Sequence, residues 1–502
     1  MEQNQSKEPK KPRIARKREI IYTTPYQNDR IQINEPLLHT IGSLADELGV
    51  KVFAVGGMVR DFFLKKPLKD IDISVIGDAI SFASAFAAKV NSKPVVFERF
   101  KTAMVPVGTN KCEFVGTRKE TYKPDSRNPT VSYGSLDDDL RRRDFTINTM
   151  AIALNQENFG THIDLFNGKK DLDDCLLTTP LDPLTTFSDD PLRMMRAARF
   201  ASQLDFFVDK KCIRAISQMS DRIKIISQER ITEEFFKILS SIKPTKGLKI
   251  LYDTGLLRII FPELDELSGT DTVTEGAAEY GHKDVLRHTF QVLDKVAQQT
   301  DNVWLRLATL LHDIAKPKTK QFVQGTGWTF HGHEELGARM VEKLFRKFRL
   351  PMEHVPYVEK LVRLHQRPMA LVDEGVSDSA IRRLAFQAGD ALEDLFLLCR
   401  ADITTKNPKL SSIYLNNYEL VFKKVIDVQE KDSLREFQSP IRGDEIMAVC
   451  NLQPSKAIGI IKTNIEEAIL DGLIPNEYDA AKAFFLENKD KWLDEIKDLG
   501  LI

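Results

Sequence analysis

Apolar residues change their spacing several times along the first third of the chain. Leu37, Leu38, Ile41, Leu44, Ala45 and Leu48 recur every three or four residues, the pattern of an amphipathic helix. VFAVG (52–56) then reads as a buried strand and is followed by a second helical stretch. At 70–75 the period drops to two: Asp70, Asp72 and Ser74 alternate with Ile71, Ile73 and Val75. PVVFERF (94–100), TAMVPVG (102–108), KCEFVGT (111–117) and AIALN (151–155) are further strand-like runs. Their connections are too short for repeated parallel crossovers, so a mostly antiparallel or mixed sheet is expected. From Asp190 helical periodicity takes over nearly to the end, punctuated by Pro and Gly near 243–247, 262–269, 325–327 and 407–408. The fold class is α+β: a mixed-sheet head followed by an all-α body, with no internal repeat.

Composition narrows the function. A chain of 502 residues exceeds one hydrophobic core, and roughly three to four domains are expected. A net charge of −1 does not suit a general nucleic-acid coat, so RNA contact has to come from local clusters. Residues 1–30 form a basic tail, Lys7 to Arg18 at its centre, read as a disordered arm. The stretch 193–249 holds thirteen Lys/Arg against six Asp/Glu on a helical pattern and is the better phosphate holder. No apolar run reaches the ~20 residues of a membrane span, and the N-terminus has no apolar signal core; a cytoplasmic protein without membrane contact is expected. Cys112, Cys175, Cys212, Cys399 and Cys450 form no CxxC pair, which argues against a disulfide framework or a thiolate zinc site.

Asp70 and Asp72 share one face of a strand about 7 Å apart. Two carboxylates so placed repel each other unless cations lie between them, and two-metal phosphoryl transfer uses such a pair. A strand DxD alone is more often a solvated polar face. Upstream, however, Gly56 and Gly57 end a strand and open a helix, a place where free backbone N–H groups receive phosphate, and Arg60 follows one turn in. The string AVGGMVRDFFLKKPLKDIDISV (54–75) resembles the signature of polymerase-β-like nucleotidyltransferases, in the branch holding CCA-adding enzymes and bacterial poly(A) polymerases. The resemblance implies a third carboxylate on a neighbouring strand, and Glu113 is the positional match.

Two further segments extend the resemblance. Arg141-Arg142-Arg143-Asp144-Phe145-Thr146-Ile147-Asn148 is similar to the family's RRDFTxNA motif, which implies that the arginines hold ribose and phosphate and that Asp144 takes a sugar hydroxyl. DDPLRMMRAARF (189–200) starts as a capped helix and resembles EDxxR of class II CCA-adding enzymes, with Asp189 in place of Glu. A carboxylate beside a guanidinium, Asp190 with Arg193, offers an acceptor next to donors; cytosine and adenine present the matching edge, uracil and guanine the reverse. Arg196 lies one turn further along. Arg118–Tyr122 with Arg127-Asn128-Pro129 resembles the flexible loop that switches C and A addition, and 164–172 the hinge motif. SQERITEEFFKIL (227–239) resembles a helix that braces the base pocket through Arg230 and Glu233.

Beyond residue 280 His288, His312-Asp313, His333, His365 and Asp402 are spread over helical segments. The H…HD…D pattern with HDIAKPK resembles the HD phosphohydrolase superfamily, which implies that His288, His312, Asp313 and Asp402 hold a divalent metal that activates water. His333 and His365 are candidates for a second ion, with His331 as an alternative to His333. SPIRGDEIMAVCNLQPSKAIG (439–459) resembles the tail of bacterial CCA-adding enzymes, where Pro454-Ser455-Lys456 opens a helix.

The domains expected are a tail at 1–30, a nucleotidyltransferase head at 31–180, a helical neck for base recognition and RNA binding at 181–275, an HD domain at 276–410 and a helical tRNA-binding tail at 411–502. The expected activity is template-independent addition of C and A to the 3′ end of tRNA from CTP and ATP. Mg²⁺ is expected in the head and a divalent metal in the HD domain, with phosphohydrolase or 2′,3′-cyclic phosphodiesterase action there. The rivals are a poly(A) polymerase, an A-only or CC-only enzyme and, from another class, an HD hydrolase whose head only binds RNA.

Overall fold

The computed structural model describes residues 30–68, 70–98, 101–123, 126–269, 272–275, 278–281, 284–372, 378–405, 407–432 and 439–498. The basic tail lies outside these residues except for Arg30, which bridges to Thr161. The described residues part into two compact units between Asp189 and Asp190. The helix Pro183–Asp189, beyond the expected head boundary at 180, falls in the first unit.

The first unit opens with α1 (Pro36–Glu47), which buries Leu38, Ile41, Leu44 and Ala45 as their spacing predicts. It continues through β1 (Lys51–Val55), α2 (Gly57–Phe63), β2 (Asp70–Ile76), α3 (Ala79–Lys89), β3 (Val95–Phe97), β4 (Thr102–Val107) and β5 (Asn110–Gly116). After a hairpin of β6 (Arg118–Lys123) and β7 (Ser126–Tyr133) come α4 (Leu136–Arg141), β8 (Ala151–Ala153) and β9 (His162–Ile163). The main sheet runs β3-β4-β5-β2-β1-β8-β9. Only β2 and β5 pair parallel, and the other pairs are antiparallel, which makes the sheet mixed.

Alternation assigns the two sheet faces. Ile71, Ile73 and Val75 are fully buried. On the same side the Phe114 ring of β5 packs 5.5 and 5.2 Å from those of Phe82 and Phe86 on α3. Helix α3 thus covers the apolar back, and Asp70 and Asp72 stand on the front. Arg118–Tyr122 and Arg127-Asn128-Pro129, which resemble the flexible-loop motif, lie in the β6–β7 hairpin, whose register is irregular between Thr121 and Lys123. Thr121, Tyr122, Thr130 and Val131 belong to types that favour strands, in keeping with the pairing of β6 and β7.

In the second unit α5 (Leu192–Leu204), α6 (Lys210–Met219), α7 (Gln228–Leu239) and α8 (Pro244–Asp253) come first. They are followed by α9 (Val285–Ala297), α10 (Val303–Leu311), α11 (His333–Phe348), α12 (Val355–Leu364), α13 (Asp378–Ala388), α14 (Leu392–Asp402) and α15 (Pro408–Asp432). A small terminal bundle, α16 (Gly443–Cys450), α17 (Lys456–Leu470) and α18 (Tyr478–Asp498), has its own core around Ile461, Ile465, Phe485 and Trp492. Among the described residues no helix is long and apolar enough to cross a membrane.

Arg306 of α10 ties this unit together. It is 1% exposed, yet its guanidinium donates to Leu239 O and Ser241 O beside the end of α7, and to Ala297 O and Thr300 O beside the end of α9. Carbonyls at helix C-termini lack intrahelical donors, and one planar fork satisfies four of them at once. Arg306→Met leaves these carbonyls buried without donors, at a cost of about 3–5 kcal/mol. Urea unfolding followed by helical circular dichroism is the check; a loss below about 1 kcal/mol would remove Arg306 from this role.

Candidate functional site

The front of the head sheet gathers acids on adjacent strands. Asp72 of β2 stands directly opposite Glu113 of β5, and Asp70 opposite Lys111. At the end of β1, Gly56 takes φ 72° and ψ −132° and turns the chain into α2. A Cβ at Gly56 would lie 2.5 Å from Arg143 Nη1 and 3.7 Å from Asp72 Oδ2, so only glycine lets this arginine reach the acids. A cavity of about 530 Å³ opens between Val55, Asp72, Glu113, Arg118, Arg143 and Phe97. Another of about 340 Å³ lies among Gly57, Arg60, Asp70 and Asp72, so Asp72 borders both.

Burial pushes the Asp72 carboxyl up to about 6; Arg143 opposes this, while Glu113 and Asp70 add to it. The arginines are anchored by a residue that sequence reasoning missed. Asp139 of α4 is fully buried and accepts from Arg142 Nε at 2.9 Å, Arg143 Nη2 at 3.0 Å and Ser74 Oγ at 3.0 Å. Burial alone would raise its carboxyl, but Arg143 and Arg142 hold it below the ordinary value. Arg60 is bound to both oxygens of Asp61 and donates to Asn148 Oδ1 at 2.9 Å; Asn148 in turn donates to Asp144 Oδ1 at 3.0 Å. Asp144 also accepts from Phe145 N and is buried. The structure thus brings Asp70, Asp72, Glu113, Gly56, Gly57, Arg142 and Arg143 to one face, with Arg60 and Asp144 in the network beside it.

In the second unit Asp190 Oδ1, just before α5, accepts from Leu192 N at 3.1 Å; the N-cap position itself is Pro191. Arg193 follows in the first turn and is 8% exposed. Arg196 and Arg199 lie over the Phe200 ring, at 5.2 and 4.4 Å. The expected brace through Arg230 and Glu233 is not the one formed: both are exposed, and Glu233 pairs with Lys237. One position on, the buried Glu234 accepts from Arg199 Nη1 at 2.9 Å and joins α7 to α5.

The histidines and acids beyond 280 converge. Asp313 Oδ2 lies 3.3 Å from His312 Nε2 and 3.7 Å from His288 Nε2; its Oδ1 lies 3.4 Å from His333 Nε2 and 3.8 Å from His365 Nε2. Asp402 Oδ1 is 2.8 Å from His288 Nε2 and 3.6 Å from His312 Nε2. Two triads result, His288/His312/Asp402 and Asp313/His333/His365. His331 is exposed on the surface, and it is His333 that joins a triad. His312, His333 and His365 each turn Nδ1 to the carbonyl three residues earlier at 2.7 Å, and His288 turns Nδ1 to Thr404 Oγ1 at 3.0 Å. Each ring therefore presents Nε2 inward, the arrangement by which an outer partner orients a ligating histidine.

His312 Nε2 and Asp313 Oδ1 are buried without a hydrogen-bond partner, so the donor set fits a divalent ion. Burial works against the charged form of His312, but Asp313 and Asp402 push its pKa up to about 10; burial and the charge of His312 push His365 down to about 4. Lys316 Nζ, one turn on, donates to Asp313 Oδ2 at 2.7 Å.

A second missed residue is Lys295. On α9, two turns after His288, its ammonium donates to Ala401 O and Ile403 O on either side of Asp402. Together with the His288–Thr404 bond it fastens residues 401–404 to α9. No local pattern marks it, because its partners lie more than a hundred residues away.

Three segments match known families: 52–178 the Poly A polymerase head domain, 205–267 the "Probable RNA and SrmB- binding site of polymerase A", and 285–405 the HD domain. An A-adding tRNA nucleotidyltransferase of Deinococcus radiodurans is 30% identical over 72% of this chain and 80% of its own length. A multifunctional CCA protein of Pseudomonas fluorescens is 31% identical over 61% of this chain and 72% of its own. An A-adding tRNA nucleotidyltransferase of Geobacter sulfurreducens is 37% identical over 50% of this chain, which spans only 28% of that longer protein. In fold the chain is similar to the Thermotoga maritima CCA-adding enzyme complexed with tRNA, at TM-score 0.57 and 22% identity over 91% of this chain and 97% of that one.

Two predictions follow from the geometry. A carboxyl raised to about 6 contributes stability below the ordinary carboxylate pKa and loses it as pH rises through 6. With chelator present, Asp72→Asn should stabilise the head by roughly 1–3 kcal/mol near pH 8 and by nothing near pH 4, read from melting curves. An unchanged midpoint near pH 8 would contradict the burial argument. Lys295→Met should cut divalent-metal retention roughly tenfold in the HD centre, read by elemental analysis after desalting, with melting little changed. Wild-type metal content in a folded variant would sink it.

Proposed function

The chain belongs to the tRNA nucleotidyltransferase family that holds A-adding enzymes and multifunctional CCA proteins, and on that premise we propose that it adds C and A to the 3′ end of tRNA from CTP and ATP. The observation that carries this reading is Asp72 facing Glu113 across parallel strands, beside the Gly56-Gly57 helix start, on one open sheet face. In the transfer the terminal 3′-hydroxyl loses its proton to water and its oxygen bonds to the α-phosphorus. The bond from that phosphorus to the bridging oxygen breaks, and pyrophosphate leaves. Asp70, Asp72 and Glu113 would hold Mg²⁺, which when bound supplies positive charge to the triphosphate and favours loss of the hydroxyl proton.

The remaining roles belong to the chain itself. The first N–H groups of α2, with Gly56 and Gly57 letting the backbone approach, receive the phosphates. Arg142 and Arg143, aimed by Asp139, hold ribose and phosphate, and Asp144 takes a sugar hydroxyl. Asp190 and Arg193, together at the start of α5, select the base, the carboxylate offering an acceptor and the guanidinium donors. Arg196 adds positive charge one turn on. The HD centre, with its two triads, supports metal-dependent hydrolysis of phosphate esters or 2′,3′-cyclic phosphates at RNA ends, and the ion held there would supply an activated water. Both chemistries suit a cytoplasmic tRNA-processing enzyme.

One observation favours a second reading, addition of A alone: the 37% identical stretch is shared with an A-adding relative. The test uses pure protein, Mg²⁺ and two tRNAs, one lacking the last three nucleotides and one lacking only A. CTP alone should extend the first by two C, and CTP with ATP should complete it. Extension of only the second tRNA would give A-only addition; long A tails, or use of UTP and GTP at comparable rates, would defeat both readings. Asp70→Ala should lower addition by at least about 10³-fold and leave cyclic-phosphate hydrolysis intact, whereas His312→Ala or Asp313→Ala should do the reverse. Unchanged hydrolysis in those HD variants would remove the hydrolase assignment.

A further inference from the structure

In-line displacement fixes where the acceptor strand has to run. With the triphosphate at the start of α2, pyrophosphate leaves on the β1 side of Asp72, so the attacking hydroxyl approaches from the β5 side, where Glu113 stands. The RNA behind that hydroxyl then crosses β5, β4 and β3. Strand pairing identifies what it meets. Glu113 is opposite Met104, which is opposite Val95; one step along the same face, Val115 is opposite Thr102, which is opposite Phe97. From β2 to β3 this path covers about 14 Å, room for more than one nucleotide.

Phe97 sits at the far end of the path. It is 46% exposed on the edge strand and lines the same cavity as Asp72 and Glu113. An edge strand with Val95, Val96 and Phe97 all exposed is an aggregation hazard unless something covers it. Arg118 lines this cavity and also a further one of about 200 Å³, which holds Lys101, Glu98 and Tyr133. Tyr133 is 70% exposed, with the Lys101 ammonium 4.8 Å from its ring centre. Two exposed aromatic faces separated by an arginine and flanked by a lysine form a single-strand platform: rings stack on bases and cations follow the backbone.

We propose that β3 and the base of the β6–β7 hairpin seat the last nucleotides of the acceptor RNA, with Phe97 and Tyr133 stacking on bases and Arg118 and Lys101 pairing with phosphates. Glu98, an acceptor, takes a ribose 2′-hydroxyl there. The proposal rests on the transfer reading for its direction, and its test does not need catalysis. A tRNA lacking its last three nucleotides carries 2-aminopurine in its unpaired 3′ end, and the full chain is added with chelator present. Stacking quenches the probe. Phe97→Ala and Tyr133→Ala should each relieve the quenching, and Phe97→Trp should restore it. In turnover the alanine variants should raise KM for tRNA roughly tenfold, with KM for ATP and kcat at saturating tRNA within twofold of wild type. Quenching equal to wild type in both alanine variants, or KM for ATP rising in step with KM for tRNA, overturns the seat. A wild-type protein that quenches but adds no nucleotide leaves the seat standing and removes the transfer reading instead.

Discussion

The parallel register of β2 on β5 is the constraint on which the head depends. It sets Asp72 against Glu113 on the front and, one residue on, turns Phe114 to the back against Phe82 and Phe86. A slip of one residue would carry Glu113 to the back and the Phe114 ring to the front. The slipped sheet would bury a carboxylate under α3 and forfeit an aromatic cluster whose burial contributes about 1.5–3 kcal/mol per ring. Apolar packing on one face therefore selects the chemical geometry on the other. The same register extends through β4 to β3 and decides which residues share the front with the acids.

Charge is managed differently in the two centres. In the head, Asp139 lies fully buried beneath the arginines, and Arg142 and Arg143 share its carboxylate. These arginines are held in place, and Asp72 keeps enough uncompensated burial that its carboxyl reaches about 6. In the HD centre the balance lies among the ligands themselves, where the buried Asp313 and the half-buried Asp402 push the His312 pKa up, while burial and His312 push that of His365 down. Ring orientation there is a local property: three of the four histidines bond the carbonyl three residues before them.

This locality explains what the sequence reveals. The alternation at 70–75 and the glycine pair at 56–57 encode geometry within a few residues, and the structure has the strand and the helix start there. The histidines beyond 280 are legible through the HDIAKPK motif, not through local spacing, since His288 meets Asp402 from another helix. Glu113 is legible only through the family resemblance, which implies a third carboxylate on a strand beside Asp70 and Asp72; the register then sets it opposite Asp72. Asp139 acts on Ser74 across 65 residues and Lys295 on Ala401 across 106, distances at which no periodicity survives. The brace on α5 was misplaced by one residue for a related reason. SQERITEEFF offers several charged positions, and only packing against Arg199 decides that Glu234 is the buried one.

The two centres also differ in how their donors face solvent, and this bears on what each can hold. Asp70 and Glu113 are exposed and Asp72 half-buried, an all-carboxylate set on an open face. Such a set suits a hard cation that keeps much of its water and arrives with a triphosphate, which is why Mg²⁺ accords with the transfer reading. The HD ligands include four imidazoles, three of them buried, with their second nitrogens already committed to backbone carbonyls. Imidazole with carboxylate favours transition ions over Mg²⁺, and fixed rings cost little further ordering when they bind. The head therefore presents an open, all-carboxylate set, and the HD centre a largely buried set of imidazoles and carboxylates in two triads.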